Sequence, residues 1–334
     1  MMRLPKIDHV APATVEEACS LLNRHAGEAR ILAGGTDLLV ACKLRNIKPS
    51  LLVSLTAIEE LKGIRFEEGK GLTIGAMTTL RDIRYHPFIM DHYPALAQAA
   101  AAVGTVQLQS MGTLGGNVLL NGRCIYYNQS HTWRRSRAAC FKMGGDICHV
   151  VPGGKKCYAV FSADTPPVLI ALDAHAKLMS KIGERVVAVK DLYSGDGKNP
   201  LSLKPSEVLT EISLPPPAAK QMSLYLKHRE RKAIEFPLAG VAVRMNANGE
   251  GLCTHCRVVL TAVDPRPTEV FADGELFQNR VPTLDLITEA SRKAVEAAHP
   301  VNNVSGGKPA YRRKMVGILT RRALLAAAQR FGFL

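Results

Sequence analysis

The first hydrophobic and polar positions of the chain predict a small α/β unit. Ile7 to Ala11 has the composition of a strand, and the pair Thr14 and Glu17 is typical of a capping box at a helix N-terminus. Apolar residues then recur at helical spacing, and a second strand is predicted at Ala29 to Leu32. We assign residues 1–56 to this first unit.

The next stretch, residues 57–217, has a mixed pattern. Short apolar runs predict three strands, and an alanine-rich run predicts a helix. The strands are Leu72–Ile74, Val168–Ala174 and Arg185–Val189, and the helix is Ala95–Val103. Three consecutive prolines at positions 215–217 can continue neither a helix nor a central strand, so they mark the end of this unit.

The last stretch, residues 218–334, predicts strands followed by helices. Val241–Met245 and Cys256–Val263 alternate as strands do, whereas Leu284–His299 and Ala310–Phe331 have helical periodicity. The final helix is strongly basic, and we expect its charges to form a solvated face or to meet an acidic partner. They are Arg312, Arg313, Lys314, Arg321, Arg322 and Arg330.

Composition places the chain among globular proteins. With 334 residues, 47% hydrophobic and 22% charged, it is long enough for two or three domains, and disorder, collagen and coiled coil are excluded. No apolar run approaches the length of a membrane span, and the N-terminal sequence lacks a secretory signal. We therefore expect a cytoplasmic protein, in which structural disulfides are rare.

Two glycine-rich segments carry candidate binding chemistry. Ala33–Asp37 reads AGGTD and Gly112–Asn117 reads GTLGGN. Paired glycines let backbone N–H groups converge on an anion, and two such segments favour a diphosphate held from two sides. A tight turn is the alternative for each. Neither segment has the pattern of a dinucleotide-binding GxGxxG turn or of a P-loop.

Half of the eight cysteines, Cys124, Cys140, Cys148 and Cys157, fall in one irregular segment that we place at about residues 122–160. Four thiolates can hold a [4Fe–4S] cluster or a tetrahedral zinc ion. The wide gaps between them favour iron–sulfur over zinc, and unligated buried thiols are a third reading. The segment is also basic, with Arg123, Arg134, Arg135, Arg137, Lys142, Lys155 and Lys156 against one acid, Asp146.

The whole chain is basic too, with 43 Lys and Arg against 29 Asp and Glu, a net charge of +14. Such a charge favours an acidic partner, nucleic acid or an anionic ligand. A zinc-stabilised nucleic-acid-binding protein is therefore one hypothesis, although no nucleic-acid-binding motif accompanies the charge, and we expect no nucleic-acid partner. No nucleophile or acid–base constellation predicts a catalytic residue in this chain.

Taken together, these motifs resemble the FAD-binding medium subunits of the molybdenum hydroxylase family, the xanthine dehydrogenase and carbon monoxide dehydrogenase group. The resemblance covers nearly the full length. It rests on four stretches of sequence, LAGGTDLL at 32–39, IGAMTT at 74–79, GTLGGN at 112–117, and AD at 163–164 leading into LIALDA at 169–174.

The resemblance implies an α+β fold, in which N-terminal α/β and middle α+β FAD-binding domains of the PCMH type precede a C-terminal domain of antiparallel sheet and helices. It also implies that the two glycine segments hold the FAD diphosphate and that Lys227 lies near the flavin ring. The implied FAD-binding residues are Leu32, Ala33, Gly34, Gly35, Thr36, Asp37, Gly75, Ala76, Thr113, Gly115, Gly116, Asn117, Asp164 and Lys227.

The four-cysteine insert resembles the extra [4Fe–4S] loop of the 4-hydroxybenzoyl-CoA reductase branch of that family. This implies a heteromeric complex, a dimer of heterotrimers, with a large molybdopterin subunit and a small [2Fe–2S] subunit. Electrons would pass from an acidic ferredoxin through the cluster and FAD to molybdenum, which dehydroxylates 4-hydroxybenzoyl-CoA to benzoyl-CoA. An oxidative hydroxylase of the xanthine, aldehyde or carbon monoxide dehydrogenase type is the alternative.

Overall fold

The computed structural model of the chain describes residues 3–272, 274–302 and 306–334. Its first lobe is a parallel three-stranded sheet of order β1-β3-β2 with two helices. Its elements are β1 (Asp8–Val10), α1 (Val15–Arg24), β2 (Ala29–Leu32), α2 (Leu38–Lys43) and β3 (Leu51–Ser54). The predicted cap is confirmed, since the Thr14 hydroxyl accepts a hydrogen bond from the Glu17 N–H at 3.2 Å.

The middle lobe is built on an antiparallel five-stranded sheet of order β4-β5-β8-β6-β7, with helices packed beside it. The strands are β4 (Ile64–Glu67), β5 (Gly71–Gly75), β6 (His175–Ser180), β7 (Gly183–Ala188) and β8 (Val208–Leu214). The helices are α3 (Leu80–Tyr85), α4 (Pro87–His92), α5 (Pro94–Ala102), α6 (Val106–Met111), α7 (Leu114–Val118), α8 (His131–Arg135) and α9 (Thr165–Ala171).

One predicted strand of the middle lobe is wrong. The sequence predicts a strand over Val168–Ala174, but the first four of these residues belong to helix α9, which ends at Ala171. Every residue of this helix is buried, so its apolar run lacks the polar positions that reveal helical periodicity. The prolines at its first turn suit a helix start, because their missing N–H groups would have no partner there.

The third lobe is an antiparallel four-stranded sheet of order β12-β11-β10-β9 covered by two long helices. Its elements are β9 (Gln221–His228), β10 (Ala239–Ala247), β11 (Cys253–Thr261), β12 (Thr268–Glu269), α10 (Leu284–Ala297) and α11 (Pro309–Arg330). One core joins the inner face of the sheet to both helices, and it includes Cys253 and Cys256. The predicted strands and helices of this region are confirmed.

Helix α11 does not present all of its cations to solvent. Arg312 is fully buried, and its guanidinium donates hydrogen bonds to the carbonyls of Leu238 at 2.7 Å, Val301 at 2.6 Å and Ala262. Burial lowers the pKa of Arg312 to about 10. This arginine ties the helix to the sheet, so the expectation of a wholly solvated basic face is wrong at this position.

The lobes pack into one body. Helix α1 lies against strands β6 and β8, and a shared apolar cluster includes Val15, Met77 and Val208. The middle sheet and helices also pack against β9, β10 and β11 of the third lobe through residues such as Tyr225 and Val259. The predicted α+β class is confirmed, and the predicted domain boundaries stay predictions. No helix among the described residues is long and apolar enough to span a membrane.

Candidate functional site

A cleft of about 560 Å³ lies between the first and middle lobes, and both glycine segments line it. The first segment follows β2 and leads directly into α2, whereas the second follows α6 and enters α7. The two segments touch, because a Cβ added to Gly34 would lie 1.7 Å from the carbonyl oxygen of Met111. Glycine at position 34 is therefore what allows the two segments to meet.

The first segment turns sharply between strand and helix. Gly35 has a φ of +70°, a conformation that other residues adopt only with strain. Asp37 then occupies the N-cap position of α2, but its side chain makes no cap hydrogen bond. The carboxylate of Asp37 is instead available to a partner across the cleft.

The second segment is not a loop throughout. Thr113 caps helix α7, and its hydroxyl accepts a hydrogen bond from the Gly116 N–H at 3.1 Å. The N–H of Gly115 donates to the Ala76 carbonyl at 2.8 Å, and a Cβ at Gly115 would lie 2.9 Å from that oxygen. Gly115 thus seats α7 against the segment that follows β5. The side-chain oxygen of Asn117 accepts from the N–H and hydroxyl of Thr165, which joins α7 to α9.

Most of the residues predicted to contact FAD line this one cleft. They are Ala33, Gly34, Gly35, Thr36, Asp37, Ala76, Thr113, Gly115, Gly116, Asn117 and Asp164. Leu32, Gly75 and Lys227 lie outside the lining. Leu32 and Gly75 end the strands β2 and β5, so they support the neighbouring segments, and Lys227 stands behind Asp164.

Asp164 carries a buried charge at the inner wall of the cleft. Its carboxylate accepts a hydrogen bond from the Tyr225 hydroxyl at 2.6 Å and pairs with Lys227 Nζ at 3.0 Å. The side chains of Asp164 and Lys227 are each only 4% exposed. Burial and the Asp164 charge raise the pKa of Tyr225 well above its ordinary value, so the phenol stays protonated and donates. The lysine therefore acts on the cleft through the carboxylate.

Arg123 lines the cleft, although the sequence predicts only that it belongs to the basic insert. Its guanidinium pairs with the carboxylate of Asp37 across the opening between the lobes. Burial raises the pKa of Asp37, and the charge of Arg123 opposes that shift. The two residues are 86 positions apart, so no local pattern could have joined them. Tyr127 and Phe236 also line the cleft and were likewise missed.

The four cysteines of the insert line one small pocket next to the cleft, together with Tyr126, Tyr127, Lys142 and His149. The pocket has about 10 Å³ of open space, which is room for one water at most. Among the described residues, no group of three or more His, Cys, Asp or Glu side chains is arranged to hold a metal ion. The geometry as it stands therefore does not support the predicted cluster, although the structure brings its four cysteines together.

The surroundings of these thiols combine burial with positive charge. Burial raises the pKa of Cys124, and it raises that of Cys157 to about 11. Against this, the Tyr127 N–H lies 3.3 Å from Cys124 Sγ, and Lys142 favours the thiolate of Cys157. Lys142 is itself half-buried, and desolvation of its ammonium lowers its pKa to about 8. Its ammonium donates to Asn121 Oδ1 and to the carbonyls of Gly122 and Gly197, each at 2.6 Å.

Comparison with known proteins identifies both halves of the chain. Residues 5–217 match the family described as the FAD binding domain in molybdopterin dehydrogenase. Residues 224–327 match the CO dehydrogenase flavoprotein C-terminal domain. Together the two matches cover nearly the whole chain.

Individual proteins agree with the family descriptions. The chain is 30% identical over 323 residues to the carbon monoxide dehydrogenase medium chain of Hydrogenophaga pseudoflava, and the aligned region covers 97% of each chain. It is 30% identical over 293 residues to the aldehyde oxidoreductase FAD-binding subunit of Escherichia coli, or 85% of this chain and 90% of that subunit.

A solved structure of carbon monoxide dehydrogenase from Hydrogenophaga pseudoflava superposes with a TM-score of 0.81 at 29% identity, covering 98% of this chain and 99% of that one. The cleft with its two glycine segments and the matched families agree with each other. The chain belongs to the family of FAD-binding medium subunits of molybdopterin dehydrogenases, the oxidoreductase family of carbon monoxide and xanthine dehydrogenase.

Proposed function

We propose that this chain is the electron-transfer subunit of a molybdenum enzyme that reduces 4-hydroxybenzoyl-CoA to benzoyl-CoA. It would stand in a complex with a large molybdopterin subunit and a small [2Fe–2S] subunit. An acidic ferredoxin would be the electron donor, and a [4Fe–4S] cluster on Cys124, Cys140, Cys148 and Cys157 the entry point. The observation that carries this proposal is that these four cysteines line one pocket directly beside the FAD cleft.

FAD would lie in the cleft between the first and middle lobes. The two glycine segments would border its diphosphate, since Gly34 lets them meet and Gly115 seats the second segment against Ala76. Backbone N–H groups of the first segment would face the phosphates. Asp164 would contact the cofactor from the inner wall, with Lys227 fixing the carboxylate behind it. FAD supplies the exchange of one or two electrons, and the chain supplies the position and the electrostatics.

The cysteine pocket fits a thiolate-bound cluster by its chemistry. In such a cluster each thiolate binds a different iron, so the four sulfurs need not converge on one point. The cluster is anionic, and two cations, the buried Arg134 and the half-buried Lys142, stand beside the pocket with neutral oxygens as hydrogen-bond acceptors. The open space of about 10 Å³ is too small for a cluster, so loading would move the glycine-rich turns between Cys140 and Cys157 outward, with the contacts of Arg123, Tyr127 and Arg134 to the first lobe unchanged. Glycines at 144, 145, 153 and 154 give the insert the freedom to do so.

The exposed side of the insert suits an acidic donor protein. Arg135, Arg137 and Lys155 are exposed there, and the Arg137 guanidinium lies 4.1 Å from the centre of the Trp133 ring. Positive charge around an electron entry point raises the rate of encounter with an acidic protein and makes that rate fall with salt. This supports ferredoxin as the class of donor.

The decisive experiment is to purify the chain with its partner subunits and to assay flavin, iron, acid-labile sulfide and the paramagnetic signal of the reduced protein. Cys140→Ser should remove the iron and the paramagnetic signal of the [4Fe–4S] cluster, while FAD and the iron of the [2Fe–2S] subunit remain. Cys19→Ser is the matched control, because Cys19 lies in the first lobe, where its thiol donates to the Met179 carbonyl, a bond that serine can keep. A complex whose only iron belongs to the [2Fe–2S] subunit, or one whose [4Fe–4S] signal survives Cys140→Ser, overturns the cluster.

An oxidative hydroxylase is the second candidate. It is supported by the relatives themselves, since the carbon monoxide dehydrogenase medium chain belongs to an enzyme named for oxidising its substrate. The direction of electron flow separates the two. Dehydroxylation of the thioester with a reduced viologen supports the reductase, whereas dye-linked oxidation of aldehydes or heterocycles supports the alternative.

A further inference from the structure

The cysteine insert crosses the FAD cleft and hydrogen-bonds to the first lobe. Arg134, on helix α8, is only 4% exposed. Its guanidinium donates to the carbonyls of Leu44 at 3.0 Å and Arg45 at 3.1 Å, and to the side-chain oxygen of Asn46. These acceptors directly follow the last residue of α2. A buried cation at the carboxyl end of a helix is favourable, because the unpaired carbonyls there carry partial negative charge.

Two more contacts join the insert to the same helix. The Tyr127 hydroxyl donates to the Asn46 carbonyl at 3.1 Å, again beyond the C-terminal end of α2. Arg123 pairs with Asp37, the residue at the opposite end of α2. The insert therefore holds α2 at both of its ends, and Arg134 also donates to the Tyr127 carbonyl at 3.2 Å, which links the contacts to each other.

The position of α2 matters because the helix continues the first glycine segment without a break. Any movement of α2 carries Asp37 and the backbone of that segment with it. We propose that the insert is a clamp that holds α2 in place and so sets the affinity of the cleft for FAD, with Arg134 as its positioning residue. This proposal rests on the FAD site proposed above, but it does not require that the cysteines bind a metal.

The test measures FAD binding by Arg134→Met in the full-length chain after removal of flavin. Titration with FAD, followed by flavin fluorescence, should give a Kd about ten- to hundredfold above wild type, because hydrogen bonds from a charged donor are lost. Arg134→Lys keeps the charge but not the planar fork, so its Kd should be intermediate. Arg135→Met, the exposed neighbour on the same helix, is the matched control and should bind FAD as wild type does.

A second readout separates the clamp from a general loss of stability. Hydrogen exchange of the amides of α2 should become faster in Arg134→Met, while exchange in β10 of the third lobe stays unchanged. Faster exchange in α2 with a wild-type Kd overturns the proposal. If Arg134→Met does not fold, Arg134→Lys decides, and a wild-type Kd for that variant likewise overturns it. Failure of the wild-type chain to bind FAD at all would refute the FAD site instead.

Discussion

The contact between the two glycine segments gives a sharp prediction at Gly34. In Gly34→Ala the new methyl group would lie 1.7 Å from the carbonyl oxygen of Met111 and 3.2 Å from the Cα of Gly112. Both neighbours are backbone atoms, which cannot swing away as a side chain does. To restore an ordinary contact of about 3.5 Å, the segments must separate by roughly 1.8 Å. Overpacking of this kind costs about 1–3 kcal/mol.

The assay should resolve where that cost falls. If FAD requires the segments in contact, its Kd in Gly34→Ala rises by about ten- to hundredfold, since each 1.4 kcal/mol is tenfold. Urea denaturation of the flavin-free chain would measure how much of this cost appears as a lower free energy of unfolding. Gly249→Ala is the control, because a Cβ at Gly249 meets no atom within 4 Å. Wild-type FAD affinity and stability in Gly34→Ala would refute the reasoning about the close approach.

Three further changes test buried charges elsewhere. Asp164→Asn leaves the buried ammonium of Lys227 without a counter-charge, with the Ala102 carbonyl still accepting from it at 2.8 Å, and should lower the free energy of unfolding by about 3–5 kcal/mol in urea denaturation. Arg312→Met removes the donor from three carbonyls, of which those of Leu238 and Ala262 are buried, and should cost several kcal/mol, roughly 1–3 for each buried one left unsatisfied, whereas the exposed Arg321→Met should change little. The hydrogen bond from Arg185 lowers the pKa of Glu207 below its ordinary 4.5. A carboxyl group whose pKa is lower in the folded than in the unfolded chain stabilises the fold above pH 4.5, and this stabilisation is lost as the pH falls through the pKa of the folded state. In Glu207→Gln the free energy of unfolding should therefore fall less steeply between pH 6 and pH 3. An equally steep acid loss in Glu207→Gln would contradict this assignment.

The parts of the site that sequence could predict are those with local chemistry. Paired glycines next to threonine and a polar residue indicate a stretch of backbone that packs closely against another segment or a ligand. Gly34 does so toward Met111, and Gly115 does so toward Ala76. The first helix was predictable for the same reason, because its cap, Thr14, lies within the motif itself.

The parts that sequence could not predict depend on distant partners or on complete burial. Arg123 and Arg134 belong to a segment whose composition is typical of a solvated insert. Their hydrogen-bond acceptors nevertheless lie 86 to 90 positions earlier in the chain. Arg312 similarly gives no local sign that it is buried. Helix α9 is apolar on every side, so its residues predicted a strand. In each case tertiary context, not local propensity, determines the outcome.

The spacing between Arg134 and its acceptors bears on how the protein is made. Leu44 leaves the ribosome 90 residues before Arg134, and the first lobe of a growing chain generally folds first. The surface that receives the insert can therefore be complete before the insert is synthesised. Arg134 would then form its hydrogen bonds to the first lobe late in folding. In a nascent chain stalled just after residue 135, α2 should therefore still be accessible to proteolysis. The surface of the first lobe that binds the insert therefore forms before the insert itself, which fixes the order in which this subunit folds.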